Sequence, residues 1–324
     1  MQSWCGGSQS RCPSEEPSDL SLVYANAMNE HGFSSGTKRR SSRTIFKEIG
    51  PPIYKFNTVL DVLYALIDAI RVHQRMVQQA GVLHGNVSIN SIIFGGVVPG
   101  ADSEEGRRVS LVDFDIVPTS FDRSDALSDE LRTGTRMFQS LNALKTWRPH
   151  DYLDDLESFL YVLAYLVFAF PSPGASVTVK RKLPMDLQDW NARDLRRAFN
   201  SKSEFIDYGP QGSDLPVPPM WGPHIFTLID DLCLHFQPIH TTSSRMRSRS
   251  LSTTHRENIE ISFKEKYLDN RVVDGRYDEV VGYFESAIKS ILAEQDSAND
   301  SEQSTLSDSL SHSRPSKGRR EEGI

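Results

Sequence analysis

Cysteine is nearly absent from this chain. Among 324 residues only Cys5, Cys12 and Cys233 occur. Three thiols build no disulfide framework, and a reducing compartment is the simpler setting for them. No Cys or His pair completes a metal-binding spacing with Cys5 and Cys12, so a zinc site is not expected. Long apolar runs are also missing. The longest, Phe159 to Phe170, is too short to span a bilayer. The opening stretch, Met1 to Pro17, has no apolar core of the kind a secretory signal requires. Basic charge is in deficit too: 36 Lys and Arg face 43 Asp and Glu, for a net charge of −7. This balance argues against non-specific nucleic-acid binding. The expectation is an intracellular protein, cytoplasmic or nuclear, with neither nucleic acid nor membrane as a partner. No internal repeats occur, and a mean hydropathy of −0.42 implies that part of the chain stays unpacked.

What is present is organised around Gly81 to Ile116. A short apolar run, Ile92-Ile93-Phe94, is followed by a polar connection, Val98 to Arg108. A second run, Val109 to Val112, leads into Asp113-Phe114-Asp115. The pair reads as a β-hairpin, with His84-Gly85-Asn86 before the first strand and the acidic cluster after the second. Upstream, Met1 to Ser42 lacks periodicity and reads as disordered apart from a weak turn near Leu20 to Met28. Arg43 to Ile49 alternates like a strand and stops at Gly50-Pro51-Pro52. Thr58 to Ala80 carries Leu63, Leu66, Ile67, Ile70, Gln74 and Val77 at helical spacing, and Gly81 stands where a helix stop is favoured.

Downstream, His150 to Phe159 opens a helix that is apolar on nearly every side up to Phe170 and is therefore expected to be buried. Asp154 and Asp155 fall in its first turn, where negative charge meets the positive helix end. Met185 to Phe199 and Pro223 to Phe236 read as further helices. Cys233 lies on an apolar face, and His224 and His235 are expected at the surface. Pro238 to Arg256, rich in Ser, Thr and Arg, reads as a flexible insertion whose serines also suit basic-directed kinases. Tyr277 to Ala293 keeps an apolar stripe. Residues 295–324 read as a disordered tail.

These motifs together resemble the fungal-type protein kinase family, whose catalytic loop normally reads H-R-D-x-S-x-N-N and whose metal loop reads D-F-D. Thr133-Gly134-Thr135 matches the family's T-G-T, and Asp154-Asp155-Leu156-Glu157-Ser158-Phe159 matches its buried central helix. The implied fold is mainly α with a small β-hairpin. It corresponds to the large lobe of a kinase over residues 43–294, between disordered segments 1–42 and 295–324. In that frame Asp155 accepts hydrogen bonds from the catalytic-loop backbone.

The resemblance also exposes what is degenerate. His84 matches the family's His, but Gly85 replaces the Arg and Asn86 replaces the catalytic Asp. An amide offers no basic oxygen, and general-base help of about 10²–10⁴-fold is lost with it. Ser88 is the family's own residue. Ser91 stands where a magnesium-binding Asn belongs, with Asn90 one residue earlier. Asp113 is retained and would hold at best a weak Mg²⁺; Asp115 is a family trait. Asn142 replaces a Glu that would pair with an Arg. Neither G-x-G-x-x-G nor a V-A-I-K-like strand lysine occurs, so most of the small lobe is expected to be missing.

ATP and Mg²⁺ follow from the resemblance only. The reading is a truncated, catalytically inactive pseudokinase that acts by binding a protein at the surface the missing lobe leaves. An active serine/threonine kinase and a decaying gene copy or incomplete gene product are the alternatives. A small-molecule phosphotransferase is disfavoured by T-G-T and D-D-L-E-S-F.

Overall fold

Helix α1, Val59–Arg75, begins where the sequence supplies a reciprocal cap. Thr58 Oγ1 accepts the Asp61 N–H at 3.1 Å, and the Asp61 carboxylate accepts the Thr58 N–H at 3.1 Å, so two otherwise orphaned donors are satisfied. Leu63, Leu66 and Ile70 are fully buried on one face. The last turn widens into a π-type turn, Met76–Ala80, and the chain leaves it at Gly81 with φ 62°, a left-handed conformation that costs glycine little. In this computed structural model residues 50–95, 109–113, 117–118, 135–173, 184–212 and 218–311 are described. The expected turn near Leu20 and the strand Arg43 to Ile49 lie outside them.

After Gly81 come four short strands: β1 (Val82–Leu83), β2 (Ile92–Phe94), β3 (Val109–Leu111) and β4 (Val117–Pro118). The expected hairpin forms, β2 pairing antiparallel with β3 so that Ile92 faces Leu111 and Phe94 faces Val109. β1 pairs antiparallel with β4, a ladder too short to read from period-two alternation. The Gly50–Pro52 segment lies against β2: Phe94 N–H donates to Pro51 O at 2.8 Å, and Pro52 bridges to Ile93.

The remainder is helical: α2 (Leu141–Lys145), α3 (Tyr152–Ala169), α4 (Met185–Trp190), α5 (Leu195–Gly212, kinked at Gly209), α6 (Gly222–Met246), α7 (Thr253–Phe263) and α8 (Asn270–Ser311). Helix α3 is buried at every residue but Tyr165 and forms the axis of the core, as its all-round apolar pattern requires. No helix among the described residues is long and apolar enough to cross a membrane.

Three expectations need correction. The segment 238–256 is not a flexible insertion throughout: α6 runs through Pro238 to Met246. Hydroxyls of Thr241, Thr242 and Ser243 bond back onto the carbonyls of Gln237, Pro238 and Ile239 at 2.7–2.9 Å. Ile239, His240, Ser243 and Met246 are buried, so tertiary packing overrides the turn-forming composition. The C-terminal stretch is helical up to Ser311. Its stem is already anchored by Val280, Val281 and Phe284, and extending a nucleated helix is far easier than starting one. His235 is not a surface residue, since its side chain is 5% exposed beside Phe236 and Tyr283.

Gly50 is required for a steric reason. A Cβ built there would stand 1.6 Å from Phe94 O. Gly50→Ala is therefore expected to push the 50–52 segment off β2 and lower stability by about 1–3 kcal/mol, measured by urea denaturation. An unchanged midpoint would contradict this close approach.

Candidate functional site

The loop between β1 and β2 is held from below by one carboxylate. Asp155, 1% exposed, accepts the His84 N–H at 2.8 Å and the Gly85 N–H at 3.0 Å. His73 Nε2 from α1 lies 2.9 Å from its Oδ2, and His150 Nε2 lies 3.3 Å from its Oδ1. Tyr277 OH from α8 closes the set on His73 Nδ1 at 2.8 Å. Burial alone would raise the Asp155 pKa, but hydrogen bonds from His150 and His73, with their charges, hold it well below the usual carboxylate range. Burial likewise opposes charge on His150, yet Asp154 and Asp155 raise its pKa. The structure thus brings the start of α3 to the backbone at His84.

His84 itself is sealed. Its Nδ1 accepts the Asn86 N–H at 3.2 Å and its Nε2 donates to Val112 O at 3.1 Å. Those partners select the neutral tautomer protonated on Nε2. Burial lowers its pKa to about 4, against opposing pulls from Asp155 and Asp113. Gly85 adopts φ 75°, a conformation open to glycine where the family carries Arg.

Asn86 turns its amide oxygen to the Thr135 N–H at 3.0 Å, tying the loop to the segment entering the turn Arg136–Phe138. Ser88 and Ser91 are both buried and close on one another. Ser91 Oγ donates to Ser88 O at 3.0 Å and accepts the Ser88 N–H at 2.9 Å, while Ser88 Oγ accepts the Asn90 N–H at 3.3 Å. Asn90 is exposed. Asp113 is exposed at φ 64°, a left-handed conformation in which Asp is enriched. Thr133, Gly134 and Asp115 lie outside the described residues; Thr135 is exposed.

Of the positions the resemblance assigns to metal and nucleotide, Ser91 faces inward with both hydroxyl functions used. Asp113 remains the sole exposed carboxylate of that set among the described residues. Hard cations take several oxygen ligands, and no group of three His, Cys, Asp or Glu side chains among the described residues is disposed to hold one.

Two other polar groups here, Arg148 and Lys202, carry no reading in the sequence motifs, while Asn142 stands where the resemblance implies a Glu. Arg148 is buried and pairs with Asp151 and, at 3.2 Å, with Asp154. Burial opposes its charge, but Asp151, Asp154 and Glu157 raise its pKa. Asn142, which cannot form a charged pair, instead donates its amide to Asp154 at 3.0 Å and to Arg148 O at 3.2 Å, and accepts the Arg148 N–H at 2.9 Å. Lys202 from α5 is fully buried. Its ammonium donates to Gln139 O at 2.5 Å and Arg136 O at 3.3 Å, and sits 3.8 Å from the Tyr161 ring centroid. Burial lowers its pKa well below normal, with Glu157 opposing. Spacing carried the signal for Lys202 and, in the Asp155 set, for His73. His73 follows Leu66 and Ile70 on the buried stripe, and Lys202 lies between Ala198 and Phe205 on another.

A mainly helical domain with a small antiparallel hairpin, a loop anchored on the first turn of a buried central helix, and an acidic residue after the hairpin define a protein-kinase-like domain. Residues 5–167, half of the chain, match the model of the fungal protein kinase family, and the chain belongs to that family. No curated protein matches it.

Two outcomes follow. Asp155→Ala leaves buried donors and histidines without their anion, and is expected to cost about 3–5 kcal/mol, read as a shift of the urea midpoint. A negligible shift would mean that water replaces the carboxylate. For His84, the unfolded imidazole titrates near its ordinary value while the folded one titrates at about 4. Below the ordinary value the unfolded state binds the extra proton, so stability rises with pH between the two values. The His84 contribution is fully present above roughly pH 6.5 and falls by about 3 kcal/mol as pH drops toward 4. His84→Gln should flatten this slope in pH-dependent thermal melts, and an unchanged slope would refute it.

Proposed function

We propose that this kinase-like protein does not transfer phosphate and acts instead by binding another protein. The observation that supports this best is the state of the catalytic loop. At the position of the family's catalytic Asp, Asn86 presents an amide oxygen already engaged by the Thr135 N–H at 3.0 Å. An amide has no pKa suited to taking a substrate hydroxyl proton. The second metal position, Ser91, is 1% exposed and satisfied by Ser88, so among the described residues the charge compensation that phosphoryl transfer depends on falls to Asp113. Losing the base slows such a reaction; losing the positioning of the phosphates as well compounds the loss.

What the loop retains is architecture. Asp155, His84 and Gly85 keep their mutual bonding, and Asn86 joins the loop to the segment leading into α2. A rigid loop of this kind suits presentation of a surface to a protein partner on the nucleotide-facing side of the lobe. The acidic balance of the chain disfavours non-specific nucleic-acid binding, and its three cysteines suit a reducing compartment, cytoplasm or nucleus.

The test is an assay of the purified chain with radiolabelled ATP and Mg²⁺, beside an Asp113→Ala variant. The expected result is no labelling of the chain or of a basic protein substrate above that control. Labelling that Asp113→Ala abolishes would establish an active serine/threonine kinase and overturn the proposal.

A further inference from the structure

The turn joining α6 to α7 carries a chemical pattern that the kinase-like site does not use. From Arg245 the chain reads Arg-Met-Arg-Ser-Arg-Ser-Leu-Ser, ending at Ser252. Arg249 stands three residues before Ser252 and Arg247 five before it. Guanidinium groups at fixed offsets ahead of a hydroxyl are what an acidic substrate cleft recognises, because each forms a charge-assisted, bidentate pair with a carboxylate.

The fold leaves this pattern readable. Arg245, Arg247, Arg249, Ser250 and Ser252 are all exposed. Arg247 spends one N–H on Trp147 O at 2.6 Å, and Arg249 makes no hydrogen bond or ion pair among the described residues. Helix α7 is weakly attached: Phe263, at its far end, is its sole buried residue. Its first turn therefore opens at little cost, as a substrate segment must when an enzyme draws it out.

A second observation concerns what a phosphate would meet there. Ser252 Oγ caps α7 by accepting the His255 N–H at 3.3 Å. Arg256, one turn into the helix, reaches back with Nη2 to Ser248 O at 3.2 Å, but its Nε is buried and lacks a hydrogen-bond partner. A buried donor without an acceptor is costly. A phosphate on Ser252 adds acceptor oxygens and about −1.5 to −2 units of charge at the N-cap, four residues before this guanidinium.

We propose that Ser252 is a phosphorylation site for a separate, arginine-directed serine kinase, and that the phosphate clamps the start of α7 by pairing with Arg256. In the modification, Ser252 Oγ attacks the γ-phosphorus of ATP and the bond to the β–γ bridging oxygen breaks. ADP leaves with that electron pair, and the hydroxyl proton passes to the modifying enzyme's base. The site is independent of whether the chain itself is catalytic.

The experiment incubates the full chain with ATP and a purified arginine-directed serine kinase and maps the phosphate by peptide mass spectrometry. Phosphate is expected on Ser252, with Arg249→Ala slowing its incorporation by about tenfold, the worth of one charge-assisted contact. Ser252→Gly should lose that phosphate while keeping the fold, because glycine is a tolerated N-cap. Trypsin cleavage after Arg249 should be slower in the phosphorylated chain, and this protection should vanish in Arg256→Gln. Label confined to other serines, or an Arg249→Ala rate equal to that of the unaltered chain, would overturn the site. Protection that persists in Arg256→Gln would overturn the clamp.

Discussion

An ionised carboxylate inside a protein is tolerable only when its surroundings replace water, and Asp155 obliges the structure around it to do so. The donors come from separate parts of the chain: backbone at His84 and Gly85, imidazole from His73 on α1, and imidazole from His150 ahead of α3. Tyr277 of α8 supports His73 from behind. Each donor lost weakens the replacement for water around a buried charge. The positions of α1, α3, α8 and the loop are therefore mutually dependent, and the loop geometry follows from the charge rather than from local turn preferences.

The same solution recurs a turn away. Arg148, buried with Asp151 and Asp154, is a cation held by carboxylates, and Asn142 fills the remaining donor and acceptor positions without adding charge. Lys202 is held differently, by the carbonyls of Arg136 and Gln139 and by the face of Tyr161. A ring face and two carbonyl dipoles offset part of the desolvation, and they fasten the Arg136–Phe138 turn to α5. The interior thus carries several ionisable groups. Each is satisfied by contacts that also fix the path of the chain between the loop and α3.

On the proposed reading, evolution of the loop has exchanged reactive groups for self-satisfied ones while leaving this scaffold in place. Asn86 keeps a hydrogen-bonding role that a carboxylate also fills, accepting the Thr135 N–H, but has no basicity to offer. Ser91, in place of a magnesium-binding Asn, spends its hydroxyl on Ser88. Conformation and catalysis depend on different properties of the same positions, so the first survives where the second is not supported.

Much of the fold was legible in sequence because it rests on local periodicity. The apolar stripe of Leu63, Leu66 and Ile70, the all-round apolar α3, the paired strands around the polar connection, and the Gly81 stop are short-range signals. The family motifs likewise located His84, Asn86, Asp113 and Asp155 along the chain. Where composition and tertiary context conflicted, the sequence misled. Pro238 to Met246 has the residues of a turn, yet it is helical because one face is buried and its hydroxyls bond back to the helix. The polar stretch up to Ser311 is helical because a packed stem precedes it. Only the tertiary structure decided which side chains meet. His73 and Asp155 are separated by 82 positions, and His73 and Tyr277 by 204. Pairings over such distances are set by how helices pack around a buried charge, and no spacing in the chain encodes them.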